Sequence, residues 1–415
     1  MTARGAAAGA DCDVLIAGGG MVGASLAVAL AGLPVRVTLV EAVPAGAPGQ
    51  PSFDARTTAL SRSSQHILAT LGIWSAVGDK AASIQRIHVS ERGRLGTTVI
   101  DGNEEGGEPL GYVLENRLLG AALWRSLGDS PNVTLRSPAT VAGVEDAGEA
   151  LAVTVQEGGT VTELRTRLLV VADGARSPLR ASLGIAARIR PYGQVAIVGN
   201  VAVSDPSRHP ADGAMAYERF TPDGPLALLP AGPGRYVFVL TRRAAVAEAV
   251  ANLPDAGFLE LLQEEFGFRL GRFERVGARG SYPLELVEAD AVTASRVAVV
   301  GNAAHGLHPV AGQGYNLGLR DAAALAELIA ETAADPDPGR PELLARYAAW
   351  RRPDQRKVVA FTDGLIRLFD RSRLGPLRGL GLLLFDSIPG AKRLLARETM
   401  GLGGRRTRLV RGLRL

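Results

Sequence analysis

The sequence predicts an α/β protein with a parallel sheet, an inserted and mostly antiparallel sheet, and a helical C-terminal region. Two stretches, 13–30 and 296–321, predict the parallel part. Each carries a short apolar run of strand type into a glycine-rich turn, and then into apolar residues at helical spacing. Between these stretches, strand-like segments at 195–203 and 236–241 predict the second sheet.

The first stretch starts with a predicted strand at 13–17, followed by the motif G-x-G-x-x-G and a helix. Glycines at this spacing let the backbone approach a pyrophosphate, which the start of the helix favours. A second strand at 35–40 ends at Glu41, where an acidic side chain binds ribose hydroxyls. FAD and NAD both use this arrangement, so the motif alone indicates a dinucleotide. Its candidate contacts are Gly18, Gly20, Met21, Val22, Gly23 and Glu41.

The second stretch has the same order of strand, turn and helix. The run 297–300 predicts a buried strand that ends at Gly301 and Asn302, and apolar periodicity from Asn316 onward predicts a helix. One proline and several glycines crowd the loop between them. A helix start carries unpaired N–H groups and a partial positive charge, so it favours an anion in front of it.

This stretch contains the pattern G-N-A-A-H-x-x-H-P-x-x-G-Q-G-x-N-x-G-x-x-D, which resembles the flavin-binding signature of the aromatic hydroxylase family typified by p-hydroxybenzoate hydroxylase. Within that family it looks closest to the ubiquinone-biosynthesis hydroxylases of the 2-polyprenyl-6-methoxyphenol hydroxylase type. The family usually has Gly-Asp where this chain has Gly301-Asn302, and Asn can still accept hydrogen bonds through its carbonyl oxygen. The resemblance implies a Rossmann-like FAD-binding domain with loop contacts from Gly301, Asn302, Pro309, Gly312, Gln313, Gly314, Tyr315 and Asn316.

The same resemblance implies further FAD contacts. The segment D-x-R-x-x-A-L-S at 54–61 is similar to one in the ubiquinone hydroxylases whose arginine lies beside the flavin, which here is Arg56. In the family, a polar side chain at the position of Arg117 touches the flavin side of FAD, and a valine backbone near Val141 touches the adenine. Asp173 and Gly174 resemble the D-G motif, which serves FAD and the nicotinamide cofactor together.

The predicted domain organisation is discontinuous, because the second sheet is inserted into the first. Segments 1–80, 110–183 and 282–340 are predicted to form the FAD-binding domain. Segments 81–109 and 184–281 are predicted to form the substrate domain. The remainder, 341–415, is predicted to be a helical C-terminal region.

The substrate side of the site is less specific in the sequence. Candidate walls near the flavin ring are Tyr217, Phe220, Leu228 and Pro230, although plain core packing explains these residues equally well. Pro309 is expected to line the flavin. His308 is the candidate for proton handling, although a lone histidine is more often structural.

The resemblance implies a reaction whose chemistry belongs to the cofactor. NADPH or NADH reduces FAD, the reduced flavin forms a C4a-hydroperoxide with molecular oxygen, and this species hydroxylates a prenylated phenol. A closed apolar pocket would keep water from breaking down the peroxide. Three alternatives stay open. They are a related flavoenzyme of another reaction type, such as a halogenase or a prenyl reductase, a hydroxylase of small soluble phenols, and a non-catalytic FAD-binding scaffold in a biosynthetic complex.

The composition indicates the number of domains and the redox compartment of the protein. Its 415 residues suffice for two or three domains, and its single cysteine, Cys12, excludes a disulfide framework and fits a reducing compartment. Glycines and a proline within the uncharged run 14–35 favour a βαβ unit over a membrane span. No third close ligand completes a zinc site beside His305 and His308, so no metal is predicted.

The net charge is +4, but basic residues concentrate after Pro389. Together with apolar patches and arginines at 365–384, they are compatible with an anionic membrane surface or other ubiquinone-biosynthesis proteins as partners. A solvated tail and a packed helix are the plainer interpretation. Aromatic residues do not interleave with the basic tail, so no nucleic acid partner is predicted. The expected location is cytoplasmic, with peripheral contact to the inner face of the membrane as an alternative.

Overall fold

The computed structural model describes residues 9–44, 47, 56–204, 215–332, 337–370 and 389–415. Residues 54–55 of the D-x-R-x-x-A-L-S segment and residues 371–384 of the predicted amphipathic segment lie outside the described residues. The strands in chain order are β1 (Cys12–Ala17), β2 (Val37–Val40), β3 (Thr57–Ser61), β4 (Ala82–Ile84), β5 (Arg86–Glu91), β6 (Thr97–Asp101), β7 (Gly111–Glu115), β8 (Val133–Arg136), β9 (Ala139–Asp146), β10 (Leu151–Glu157), β11 (Thr160–Val171), β12 (Ala187–Val203), β13 (Met215–Thr221), β14 (Gly224–Pro230), β15 (Arg235–Arg243), β16 (Phe273–Val276), β17 (Gly280–Ala289), β18 (Thr293–Ala294), β19 (Val297–Val299) and β20 (His305–Gly306). The α-helices of the described part are α1 (Met21–Leu30), α2 (Arg62–Thr70), α3 (Asn116–Gly128), α4 (Pro178–Ser182), α5 (Ala244–Ala251), α6 (Asp255–Phe266), α7 (Gln313–Glu331), α8 (Pro341–Asp370) and α9 (Pro389–Thr399).

An eight-stranded sheet with a parallel centre carries both glycine-rich turns. Its order is β18-β19-β11-β1-β2-β8, and β10 and β9 extend it in antiparallel pairing from β11. Every residue of β1 and β2 is buried, as expected for parallel strands covered on both faces. Because β1, β2, β11 and β19 are parallel, their carboxyl ends meet at one edge of the sheet.

A nine-stranded sheet forms the second layer, in the order β20-β17-β12-β15-β14-β13-β5-β6, with β16 also paired to β12. Its pairs are antiparallel except for β13 with β5. Helix α6 packs on one face of this sheet through Phe258, Leu262 and Phe266. A three-stranded sheet, β3-β7-β4, packs on the other face through Ile84 and Val113. The predicted α/β fold with an inserted antiparallel sheet is therefore confirmed.

Helix α8 of the C-terminal region packs against the first sheet. In α8, the fully buried hydroxyl of Tyr347 donates a hydrogen bond to the Val299 carbonyl of β19 at 3.1 Å. The same helix carries Pro353 in its interior. Within the residues that the structure describes, no helix combines the length and hydropathy needed to cross a bilayer.

At the edge of the first sheet, β8 pairs in parallel with β2. Two local expectations differ from the structure. Helix α7 begins at Gln313, three residues before the expected start at Asn316, because Gly312 in a left-handed conformation ends the preceding turn. Residues 282–289, predicted to open the last FAD-binding segment, continue β17 and pair with β12 in the second sheet.

Candidate active site

A large cavity lies where the edge of the first sheet faces the second sheet. Its volume is about 1420 Å³. Pockets for one small ligand measure roughly 300–1,000 Å³, so this cavity has room for a dinucleotide and a second molecule. The predicted residues that line it are Gly18, Gly20, Met21, Val22, Glu41, Arg56, Asp173, Gly174, Tyr217, Phe220, Asn302, Pro309, Gly312, Gln313, Gly314, Tyr315 and Asn316.

The first glycine turn is shaped by close backbone approach. Gly18 has φ of 109°, and a Cβ there would lie 2.5 Å from the carbonyl oxygen of Ala172. A Cβ at Gly23 would lie 1.9 Å from the Gly18 carbonyl oxygen, so Gly23 closes the turn from behind the cavity. Helix α1 then starts at Met21 with no side-chain cap and no acidic residue in its first turn. Its free N–H groups favour an anion such as a pyrophosphate.

Glu41 anchors this turn and faces the cavity. Its Oε2 accepts a hydrogen bond from the Gly19 N–H at 2.6 Å, and its Oε1 accepts one from the Val43 N–H at 2.9 Å. A carboxylate has about four acceptor positions, so Glu41 retains capacity for the hydroxyls of a ribose. Trp124 of α3 supports the turn from the other side, since its Nε1 donates to the Gly19 carbonyl at 3.2 Å. Sequence reasoning missed Trp124, which no motif marks.

The second turn presents the start of α7 to the cavity. Gly312 is the N-cap residue, with φ of 59°, and a Cβ there would lie 2.9 Å from Cβ of Ala59. No side chain caps the helix, and its first turn has no acidic residue. The N–H groups and the helix dipole can therefore stabilise negative charge on a ring that lies against this loop.

Asn316 was predicted to contact the cofactor, but its side chain is saturated by protein partners. Its Oδ1 accepts hydrogen bonds from the Ser61 N–H at 2.8 Å and the Ser64 hydroxyl at 2.7 Å. Its Nδ2 donates to the carbonyls of Ala59 at 2.8 Å and Gly312 at 2.7 Å. A side-chain amide has two donors and two acceptor positions, so all are used. Asn316 thus fixes β3 against the glycine loop.

The two glycine turns are packed directly on each other. A Cβ at Gly301, which has φ of 61°, would lie 3.1 Å from both methyl carbons of Val22. A Cβ at Gly318 would lie 2.8 Å from a Val22 methyl carbon. The Ser25 and Tyr315 hydroxyls are hydrogen-bonded at 3.0 Å. Gly301 therefore acts through the fit between α1 and α7, and does not line the cavity.

Asp173 and Arg56 lie at the cavity wall near the second sheet. Asp173 Oδ1 is buried and has no hydrogen-bond partner among the described residues, and burial raises the pKa of this carboxyl group. A buried acceptor without a partner in the described protein can accept a hydrogen bond from a donor group of a ligand. The guanidinium of Arg56 lies 4.9 Å from the centre of the Tyr282 ring, over its face. Such a cation–π contact orients Arg56 along the wall.

His308, the candidate for proton handling, does not line the cavity. Its Nδ1 accepts a hydrogen bond from the Val310 N–H at 3.2 Å, and its Nε2 has no partner in the described part of the chain. Burial lowers the pKa of His308 to about 4, so the ring is neutral near pH 7. Its position indicates support of the loop at 309–312 rather than contact with a substrate.

Four other predicted residues also lie away from the cavity. Arg117 is exposed and pairs with Glu115, while the neighbouring Asn116 lines the cavity. Val141 pairs with Val155 in the antiparallel β9–β10 extension of the first sheet. Leu228 is fully buried on the α6 side of the second sheet, and Pro230 has the same parity in β14. Because side chains alternate along a strand, the cavity receives Ala227 and Leu229 instead.

The donor set fits FAD. The uncapped starts of α1 and α7 can bind a pyrophosphate and an electron-rich ring. Glu41 can accept hydrogen bonds from a ribose, and the buried Asp173 oxygen can accept one from a further donor of the cofactor. A nicotinamide dinucleotide alone would explain the first turn but not the second. The face of the second sheet leaves an apolar space beside the flavin position.

Comparison with known proteins supports the same cofactor. Residues 11–362 match the model of a family described as FAD binding domain. The chain is 40% identical to ubiquinone hydroxylase UbiL of Rhodospirillum rubrum over 97% of this chain and 93% of the relative. It is 32% identical to 3-demethoxyubiquinol 3-hydroxylase of Escherichia coli, over 94% and 98% of the two chains.

Among solved structures, p-nitrophenol 4-monooxygenase PnpA of Pseudomonas putida has the same fold, with a TM-score of 0.76. The identity is 20%, over 95% of this chain and 99% of that one. The match to the family model and the identity to the two hydroxylases carry the assignment. The chain belongs to the FAD-binding-domain family of flavin-dependent aromatic monooxygenases that includes these ubiquinone hydroxylases.

Proposed function

We propose that this FAD-dependent monooxygenase hydroxylates the aromatic ring of a polyprenylphenol in ubiquinone biosynthesis. The observation that carries the proposal is one continuous cavity, in which the cofactor residues open onto a broad apolar wall. A small soluble phenol would not need that extent of apolar surface. The ubiquinone hydroxylase UbiL and the 3-demethoxyubiquinol 3-hydroxylase, relatives at 40% and 32% identity, support the same substrate class.

The proposal assigns roles to the residues of the site. Gly18, Gly20 and the start of α1 bind the pyrophosphate of FAD, and Glu41 binds its ribose. Bound FAD, reduced by NADPH or NADH, supplies the activation of molecular oxygen. Pro309 and the start of α7 position the ring, and the apolar wall excludes water from the reaction. The predicted division into FAD-binding, substrate and C-terminal segments is part of this proposal, with residues 282–289 assigned to the second sheet.

A product assay tests the substrate class. The FAD-loaded protein is given NADPH or NADH, oxygen labelled with a heavy isotope, and a panel of phenols with and without prenyl tails. We expect one labelled oxygen atom on the ring of prenylated phenols. Turnover of tailless phenols alone would contradict the proposal, and failure of any nicotinamide to reduce bound FAD would favour the scaffold alternative.

Peripheral membrane contact is a further part of the proposal. Helix α9 presents exposed Arg393, Leu394 and Arg397 to solvent, and the side chain of Leu394 is 62% exposed. Each basic residue near an anionic bilayer contributes about 1 kcal/mol of attraction. We expect the protein to sediment together with vesicles that contain anionic lipid, and to stop binding these vesicles at high salt. Equal binding to neutral vesicles would argue against it.

A further inference from the structure

The side of the second sheet that faces the cofactor residues carries a continuous row of cavity-lining side chains. Cross-strand partners connect β12, β15, β14, β13, β5 and β6 in turn. Every member of this row lines the cavity. The row consists of Val198, Val239, Ala227, Glu218, Val89 and Thr98.

The register gives the row a length and a direction. Six adjacent strands have five spacings, and neighbouring strands lie about 4.8 Å apart, so the row spans roughly 24 Å across the sheet. Five of its six side chains are alanine, valine or threonine. These short side chains leave space for a ligand above the sheet. The exception, Glu218, is engaged in a polar interaction of its own.

The two ends of the row differ. The loop that carries the second glycine turn follows Gly306 of β20. Strand β20 is the edge strand, and it pairs with β17, which lies next to β12. The other edge is β6, where Ala396 of α9 and Met400, which follows that helix, pack with Ile100 and Leu110. Leu395 of α9 also lines the cavity. The reacting ring therefore belongs at the β12 end, and the β6 end lies beneath α9.

We propose that this row is a trough for the apolar tail of the substrate, and that the tail leaves the protein between β6 and α9. The trough rests on the proposed function, because it presumes a substrate with a tail. In this proposal the sheet and the inner side of α9 recognise the tail, and the tail leaves the protein beside the exposed Leu394. A tail of about the length of the row would be removed from water along its whole course.

Two pairs of residues provide matched variants. Leu395 lines the cavity, whereas Leu413 is exposed and does not line it. Thr98 is buried at the end of the row, whereas Thr97 is exposed on the same strand. Leu395→Trp and Thr98→Phe put bulk into the trough, while Leu413→Trp and Thr97→Phe add the same bulk outside it. FAD absorbance and melting temperature check that each variant is folded.

The measurement is kcat/KM for a long-tailed prenylphenol and for its tailless analogue, in detergent. We expect Leu395→Trp and Thr98→Phe to lower kcat/KM for the long-tailed substrate by roughly tenfold or more, mainly through KM. Turnover of the tailless analogue should change less than about twofold, and the two control variants should change neither. Equal losses on both substrates, or no loss, would overturn the trough.

The wild-type protein gives an independent measurement if a variant fails to fold. Affinity should rise with each added isoprene unit until the trough is filled, and then level off. Affinity that is independent of tail length, in a protein that hydroxylates the ring, would overturn the trough and leave the proposed function standing. A wild-type protein that hydroxylates no phenol would instead overturn the proposed function, and the trough with it.

Discussion

The Asp321 carboxylate and the His305 imidazole form a fully buried hydrogen bond of 2.6 Å between Oδ2 and Nε2. The other carboxylate oxygen accepts from Arg351 Nε at 2.7 Å and Gln355 Nε2 at 3.0 Å. Burial alone would raise the pKa of Asp321, but Arg351 and His305 outweigh it and lower the value to about 2. This network ties α7 and α8 to the loop that carries the second glycine turn.

Removing the Asp321 charge should destabilise the protein strongly. Asp321→Asn leaves Arg351 with less compensation in the core, and breaking a buried ion pair typically costs about 3–5 kcal/mol. We expect a loss of that size in the free energy of unfolding, measured with urea. Asp354→Asn is the control, because Asp354 is 27% exposed and should cost less. Equal stability of wild type and Asp321→Asn would show that the network is not a stabilising element.

Asn316 should act on the flavin through the loop rather than by contact. Asn316→Leu keeps the size of the side chain but leaves the Ser61 N–H and the Ala59 carbonyl unpaired. Each buried group without a partner costs about 1–3 kcal/mol. We therefore expect a lower melting temperature in the flavin-free protein as well as weaker FAD binding. Unchanged stability with weaker binding would indicate direct contact.

Asn132→Leu is the structural control for this prediction. The Asn132 amide donates to the carbonyls of Leu30, Leu33 and Val35, between α1 and β2. Asn132 does not line the cavity. Its loss should lower stability and leave the affinity for FAD nearly unchanged.

Much of the cofactor side could be predicted from sequence because glycine motifs encode backbone geometry locally. Gly18 and Gly312 take positive φ values that other residues rarely adopt, and each stands in the motif where the turn requires it. The strand ends at Glu41 and Asp173 followed from buried apolar runs. These signals need only a few neighbouring residues.

The substrate side could not be predicted to the same extent, because it depends on long-range register. Leu228 and Ala227 are both apolar, and only the pairing of β14 decides which of them faces the cavity. Asn316 shows a different limit. The motif marks this residue, but its hydrogen bonds go to Ser61 and Ala59, which lie more than 250 positions away.

Two glycines of the second turn should respond differently to alanine. A Cβ at Gly312 would meet Ala59 at 2.9 Å in a left-handed backbone, whereas one at Gly314 has no neighbour closer than 4.0 Å. Gly312→Ala should therefore lower the melting temperature of the flavin-free protein, and Gly314→Ala should leave it nearly unchanged. Both should weaken FAD binding, since both residues line the cavity. Tight FAD binding by Gly314→Ala would place the flavin away from the start of α7.

The buried histidines should make the fold sensitive to mild acid. Burial lowers the pKa of His308 to about 4, and burial together with Arg269 lowers that of His88 to about 4. Unfolded histidine has a pKa of about 6.5, so the unfolded chain binds more protons between these values, and stability falls as pH drops from 6.5 towards 4. For His308 the loss reaches roughly 3 kcal/mol, at about 1.36 kcal/mol per pKa unit. Urea unfolding of His308→Gln across this range should show a flatter dependence than wild type, and an unchanged slope would mean that His308 has the same pKa in the folded and the unfolded chain.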